Sequence, residues 1–364
     1  MTKAAELAKM GEVLTNNQIG GRRNIIINGA MQVAQRATSA TDLGSGSDYA
    51  TVDRFAVLGF GSTAGRLTMT QSTDTPNGFP NSVKLDCTTA DTSIGSSEGL
   101  IFSQAIEGQN LQQLKKGTSD AEQLTVSFYV KGNANATYTA ELRDQDNTRF
   151  NSQEFSVTTS WNRITLTYVG DTTGALDNDN ALSLYLFIWL HAGSDFTGGT
   201  HTSNVWHTTG NQRVGDNQTS FFDSTDREFF ITGVQMEVGS VATPFEHRSF
   251  GEELQLCKRY CNVIAPINDE AFTFGHARTT TIAVGTVRLH PVMRANPTIT
   301  FSGATDFQIQ FGNGATQTTA MGANELSTEG ITMQATIGSG LTVGQGMEIR
   351  EHTSGAKITV DAEL

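Results

Sequence analysis

Residues 229–260 read FFITGVQMEVGSVATPFEHRSFGEELQLCKRY, and their order decides the fold. Residues 229–236, rich in aromatic and β-branched side chains, read as a strand. Gly239 and Pro244 punctuate the exit from it. A helix then opens at Gly251 and Glu252 and is expected to span 251–262. Nothing along the stretch has the makings of a catalytic device, so its residues are assigned to folding and to holding partners.

From Asn24 onward, short strands are separated by clusters of Gly, Asn, Asp, Ser and Thr, the spacing of an all-β sandwich. Alternation is clear in RLTMT (66–70), LTVSFYV (124–130) and NRITLTY (162–168). A period of two turns one side of each strand inward and the other toward solvent. Roughly ten such strands before Glu237 predict a mainly β protein, with a jelly-roll β-sandwich of two sheets folded onto each other over 24–250. The apolar run 182–190, broken only by Ser183, reads as a buried strand, and NLQQLKK (110–116) as one helical turn. Ahead of the sandwich, residues 1–23 place Ala4, Leu7, Met10 and Leu14 on one helical face behind Thr2 as N-cap. A helix so short is not stable alone in water, so Leu7, Met10 and Leu14 are assigned to attachment or oligomerisation. After a linker helix at 251–262, strands return at 282–289, 298–301, 307–311, 331–337 and 356–360 between Gly-rich turns. Residues 263–364 are therefore expected to form a second, small C-terminal β domain. No repeat of solenoid or propeller period is present, which weighs against a β-helix.

The opening stretch closely resembles the end of the carbohydrate-binding-module-like β-sandwich found in many phage tail-fibre and receptor-binding proteins. There, a strand and exit of the form GVQLE–GSVATPFE lead into a helix of the ELALCQRYY type. Residues 24–29, NIIING, followed by Gln35 and Arg36, and residues 52–55, VDRF, belong to the same pattern, as do the last four residues, DAEL. The resemblance covers 24–262 well and the final hundred residues more loosely. It implies a virion structural protein, a tail fibre or receptor-binding subunit that recognises host-surface glycan and is assembled in the host cytoplasm. Other virion proteins would be its partners, and a homotrimer its assembly, in keeping with the cyclic symmetry of such oligomers. Two other classes stay open: a decoration or connector subunit with only protein partners, and a polysaccharide-cleaving enzyme on a jelly roll.

Bulk composition bounds these classes. A formal net charge of -13 over 364 residues repels a phosphate backbone, so no nucleic-acid partner is expected. No segment approaches the roughly 18 apolar residues of a membrane span, and no membrane insertion is expected. The residues after Met1 lack the apolar core of a secretion signal, so synthesis in a cytosol is expected. Cys87, Cys257 and Cys261 are too few for a disulfide framework. The spacing of Cys257 and Cys261 suits two thiolate ligands, but no second Cys/His pair completes a zinc site; free thiols are expected.

Candidate chemistry is sparse. None of the seven histidines sits in a Gly-x-Ser-x-Gly or His-Glu-x-x-His context, and no catalysis is expected. Asp144/Asp146 and Asp177/Asp179 lie in turn-forming sequence, where aspartates bond their own backbone. The same oxygens suit a structural calcium, although Met31 and Gln32 stand where the resembling sandwiches carry an acidic ligand. No other cofactor is expected. The polar segment 191–226 is longer than a connecting loop needs to be, and its large apolar residues are Phe196, Trp206, Phe221 and Phe222. Sugar recognition sets a flat aromatic face beside fixed polar groups, so Trp206, His207, Asp195 and Asn211 are the candidate glycan-binding residues. Trp206 also suits a second role, as the anchor of the loop on the core. Trp161 and Trp189, inside strand patterns, are expected in the core.

Overall fold

The structure, a computed structural model, describes Lys3 and residues 22–265, 270–312 and 314–364. The helix assigned to Leu7, Met10 and Leu14 lies outside the described residues. The chain divides into two compact units between Phe250 and Gly251, with Leu364 grouped with the first.

Among the described residues the first unit has twelve strands, two more than the alternation shows. They are β1 (Ser39–Leu43), β2 (Ser47–Asp48), β3 (Ala56–Phe60), β4 (Arg66–Ser72), β5 (Ser82–Thr89), β6 (Gly99–Glu107), β7 (Leu124–Gly132), β8 (Ala136–Asp144), β9 (Arg149–Val157), β10 (Asn162–Tyr168), β11 (Leu182–Ala192) and β12 (Glu228–Val238). Sheet 1 has the order β1-β4-β5-β12-β7-β10, and sheet 2 the order β2-β3-β6-β11-β8-β9. All pairings are antiparallel. Leu67, Met69, Leu85, Val126, Phe128, Phe229 and Met236 of sheet 1 meet Leu100, Phe102, Tyr138, Leu142, Leu186 and Ile188 of sheet 2 in one buried core. This is the expected jelly-roll sandwich, held together by burial at roughly 25 cal/mol per Å² of apolar surface. The helical turn expected at 110–116 is two 3-10 turns, Gly108–Asn110 and Gln112–Leu114.

The residues of the opening motifs lace this unit shut. The Asn24 side chain accepts the N–H groups of Ile26 and Met236 at 3.0 Å each and donates to the Val234 carbonyl at 3.1 Å. One Glu246 oxygen accepts the N–H groups of Arg23 and Asn24. Downstream of β12 the exit folds back so that Thr243 bonds both Glu237 carboxylate oxygens, while the Gln235 side-chain amide oxygen accepts the Glu246 N–H. Asn28 does the same service for Val33 and Asp53. Gly29 is glycine because a Cβ there would stand 2.1 Å from the Val234 oxygen. Gly233, at φ +62°, lies in the bulge of β12 between Thr232 and Gln235.

The second unit begins with α2 (Phe250–Lys258), numbered after the short α1 (Ser194–Thr197) of the first unit. Glu252 and Glu253 in its first turn and Lys258 in its last complement the helix dipole. It stops short of the expected 262, since Cys261–Ile264 forms β13. There follow β14 (Ala271–Ala277), β15 (Ile282–Arg288), β16 (Thr298–Phe301), β17 (Phe307–Phe311), β18 (Gly314–Gln317), β19 (Ala320–Asn324), β20 (Gly330–Thr336), β21 (Gly346–Glu351) and β22 (Ile358–Asp361). They form a three-stranded sheet, β13-β22-β16, and a seven-stranded one, β18-β17-β21-β14-β15-β20-β19, around Leu289, Phe307, Ile309, Met333, Ile349 and Val360. All three cysteines are buried, and burial pushes the Cys87 thiol up to about 11.

Candidate functional site

The run 182–190 is apolar on both faces of β11. Leu184, Leu186, Ile188 and Leu190 enter the inter-sheet core, whereas Tyr185, Phe187 and Trp189 stand on the outer face of sheet 2. An outer face of a sandwich is ordinarily polar, so something must cover or use these rings. At the Trp189 end the covering is visible. Trp189 is 0 % exposed and packs against Phe196 of α1, with ring centroids 5.0 Å apart. Arg213 reaches down to the buried Glu141 at 3.0 and 3.3 Å, with its guanidinium 4.3 Å from the Phe150 ring and 5.0 Å from Trp189. The Trp189 N–H binds the same carboxylate. The polar segment after β11 is thus pinned across half of the sheet.

On the other half Tyr185 and Arg143 are half-buried, while Phe187, Ser103 and Ala105 beneath them are 2%, 3% and 1% exposed. Tyr185 lies opposite Ala105 of β6 and Arg143 of β8, and Phe187 opposite Ser103 and Glu141. The Tyr185 and Phe187 rings form a tilted pair 4.6 Å apart. The half-buried Arg143 holds its guanidinium 5.8 and 5.9 Å from their centroids, within cation–π range. Its Nε is shielded from solvent without a hydrogen-bond partner, and no ion pair engages it among the described residues. Burial, then the neighbouring Arg213, press its pKa downward. Tyr185 and Arg143 are thus the partly exposed residues over a buried floor of Phe187, Ser103 and Ala105.

The residues singled out by sequence fall elsewhere. Trp206 donates its indole N–H to the Val169 carbonyl at 2.8 Å and packs against the inter-sheet core, with Lys116 5.4 Å from its ring. It closes a small pocket lined by Leu114, Leu142, Tyr168 and Asp171, which is the anchor role. His207 forms a β-bridge with Phe150, and its ring stacks on that residue at 5.9 Å. Burial, together with His201 and Arg213, lowers its pKa. Asp195 lies on α1, with its N–H on the Ser96 carbonyl. Asn211 is exposed on the 3-10 turn Gly210–Gln212, and its carbonyl accepts the Gly199 N–H. Trp161 is not in the core: it lies half-buried on the outside of sheet 1, donating to Asp74 at 3.0 Å and packing edge-on against Phe230. Trp206→Ala is expected to cost about 2 kcal/mol of stability, a half-buried fraction of the usual large-to-small penalty, while leaving glycan binding intact. Calorimetry alongside a binding isotherm checks both.

Among the described residues no group of three or more His, Cys, Asp or Glu is placed to hold a metal ion. Asp144 instead binds Lys116, whose ammonium also meets Asp171 at 3.0 Å and the Thr173 and Gly174 carbonyls at 2.9 and 2.8 Å. An oxygen cage of the kind a calcium would use is filled by an amine of this chain. Asp146 and Asp179 cap the backbone N–H groups of Asp177 and Ala181, which is turn work.

Ser220, His191 and Glu98 also meet: His191 Nδ1 is 2.7 Å from Ser220 Oγ, and its Nε2 is 3.6 Å from Glu98. The imidazole is 0 % exposed, and burial lowers its pKa against the pull of Glu98. Ser220 Oγ additionally accepts the Phe222 N–H as a helix cap.

No protein-family model matches the chain, and no curated protein matches it. Among solved structures it is similar to a CBM4 module, at 12% identity and TM-score 0.31 over 58% of this chain and 97% of that one. It is also similar to the enzymatically active domain of tailspike protein 4 of bacteriophage CBA120, at 16% identity and TM-score 0.30 over 59% of this chain and 21% of that one. The CBM22-1–CBM22-2 tandem domain of Paenibacillus barcinonensis Xyn10C matches at 12% identity and TM-score 0.28 over 94% and 98% of the two chains. At such scores the chain's own geometry must carry the site.

Proposed function

We propose that this protein is a receptor-binding subunit of a phage tail fibre, and that its sandwich binds host-surface glycan at the partly exposed Tyr185 and Arg143 on the outer face of sheet 2 without catalysing a reaction. The observation that carries the binding role is the partly exposed Tyr185 ring on the outer face of the sheet, backed by the buried Phe187 and beside Arg143. A pyranose presents a flat apolar face and a rim of hydroxyls, and this surface offers the Tyr185 ring for the first and the outer nitrogens of the Arg143 guanidinium for the second. The platform rests on β8 and β11, in the middle of a six-stranded sheet, so its geometry is set before a ligand arrives. The virion role rests on the motif residues of 229–260, and attachment or trimerisation is assigned to residues 1–23 on the same footing.

Purified protein should bind host cells and block phage adsorption. Tyr185→Ala should weaken cell binding at least about tenfold, which corresponds to roughly 1.4 kcal/mol, with little change in melting temperature because the ring lies outside the inter-sheet core. Protein that neither binds cells nor competes with phage would leave the connector reading standing instead. New reducing ends released from host polysaccharide at catalytic rates would overturn the non-catalytic part.

A further inference from the structure

We infer that the second unit carries a sugar-binding site of its own, centred on Phe274 of the seven-stranded sheet and taking an uncharged glycan. It does not rest on the reading of Tyr185 and Arg143, which belong to the first unit. Phe274 is 71% exposed and stands on β14, the fourth of the seven strands. Among the described residues no other exposed large apolar side chain lies inside a strand; the rest sit in connections or at the start of α2. Thr273 and Ala277 of β14, Met347 and Ile349 of β21 and Ile309 of β17 are buried, so alternation puts Phe274, Glu348 and Gln310 together on the opposite, outer face. These three also share one cross-strand row: Glu348 is the register partner of Phe274, and Gln310 that of Glu348. Arg350 ties the row together, since its Nη1 donates to Gln310 Oε1 and its Nε is 3.6 Å from Glu348 Oε2. On the other side of β14, the exposed Thr286 of β15 pairs with Thr332, which in turn pairs with Asn324 of β19.

One exposed ring among amide, carboxylate, guanidinium and hydroxyl groups suits a sugar better than a protein. A protein interface covers about 800 Å² per partner around an apolar centre, whereas one phenylalanine supplies about 150–250 Å² and the other residues of this row are polar. A sugar needs a single flat apolar face with donors and acceptors at its rim. Arg350 takes the Gln310 oxygen, which leaves the amide nitrogen to donate, and Glu348 keeps an oxygen to accept. These side chains hold one another on paired strands, so little ordering remains to be done when a ligand arrives. Their charges cancel. An anionic sugar would meet the Glu348 carboxylate beside the ring, while a neutral one meets no opposing charge.

The test uses the full chain and surface polysaccharide extracted from cells that bind it, offered native or with its carboxylates reduced to alcohols. Phe274→Ala should lower affinity at least about tenfold, both in the wild-type chain and in the Tyr185→Ala variant. Phe274→Leu, which keeps apolar area but not a flat face, should lose as much, and Phe274→Tyr should bind as the wild type does. Carboxylate reduction and added salt should leave the Phe274-dependent share unchanged. The ring lies in water, so the melting temperature should hold in all three variants. If Phe274→Ala binds like wild type while Tyr185→Ala loses binding, this inference falls and the first-unit reading survives; the opposite pattern overturns that reading and leaves this one standing. Full binding by Phe274→Leu would make the contact merely apolar and sink the sugar assignment. Loss of the Phe274-dependent share on carboxylate reduction would make the ligand acidic and overturn the uncharged class. If sedimentation shows that Phe274→Ala changes the oligomeric state, the face is a contact between copies and the inference is overturned. Wild-type protein that binds neither cells nor polysaccharide overturns both readings.

Discussion

Replacing Lys116 with methionine is expected to lower the melting temperature of the first unit by roughly 6 to 20 °C. The ammonium is almost wholly shielded and is shared by Asp144 and Asp171, whose side chains are 0% and 3% exposed. Removing one member of a buried ionic set strands the others, and such losses run to about 3–5 kcal/mol; for a unit of this size each kcal/mol moves the midpoint by about 2–4 °C. Asp171 would keep its paired contacts to Arg149 at 2.7 and 3.0 Å, but Asp144 would retain only Asn147. The variant also removes the cation beside Trp206. The neighbouring Lys115 pairs with Glu122 at the surface, and Lys115→Met should leave the midpoint unchanged. Differential scanning calorimetry of the full chain reads both variants. Acid should weaken the same knot. Burial raises the Asp171 pKa, but hydrogen bonds from Arg149 and Lys116 outweigh it and hold the folded value below the ordinary 3.8. Its contribution is therefore complete above pH 3.8 and is lost as the pH falls through the lowered value.

The sandwich was legible in the sequence because its strands obey a period of two against one shared core, as Val126, Phe128 and Val130 do within β7. Where strands have no buried side, the pattern vanishes: Ala315 of β18 and Asn324 of β19 are exposed, and neither strand has a buried residue. The missed β21 is different, since Met347 and Ile349 alternate inward between Glu348 and Arg350 but are framed by too few apolar residues to stand out. Of the two roles the sequence leaves to Trp206, its packing is that of an anchor: Trp206, Phe221 and Phe222 tie the polar segment to the core, and Arg213 ties it to Glu141. In β11 the signal is plain, since an apolar run broken only by Ser183 carries Tyr185 and Phe187 on the side an antiparallel sandwich normally leaves polar. Arg143 gave no signal of its own: in LTVSFYV-like alternation a charged outward residue is what any solvated strand shows.

Asn24→Ala is expected to cost at least about 3 kcal/mol, a large share of the roughly 5–15 kcal/mol that holds a domain folded, although it deletes only a carboxamide. Asn24 is 4% exposed and satisfies two backbone N–H groups and one carbonyl, spanning Ile26, Met236 and Val234. Each buried backbone group left without a partner costs about 1–3 kcal/mol, and alanine leaves all three. Water has little access, because Ile26, Val234 and Met236 are themselves buried. Asn24→Asp separates the contributions: it keeps the acceptor that serves Ile26 and Met236 but sets a second oxygen against the Val234 carbonyl, so it should fall between wild type and alanine only if the acceptor bonds dominate. A urea titration followed by tryptophan emission gives the free energies, since Trp161, Trp189 and Trp206 all lie in this unit. A cost below 1 kcal/mol for Asn24→Ala would mean that the NIIING and GVQMEV segments are joined by the β12 backbone contacts at Ile25 and Val234 rather than by this side chain, and that the motif owes its form to something other than closing the sandwich.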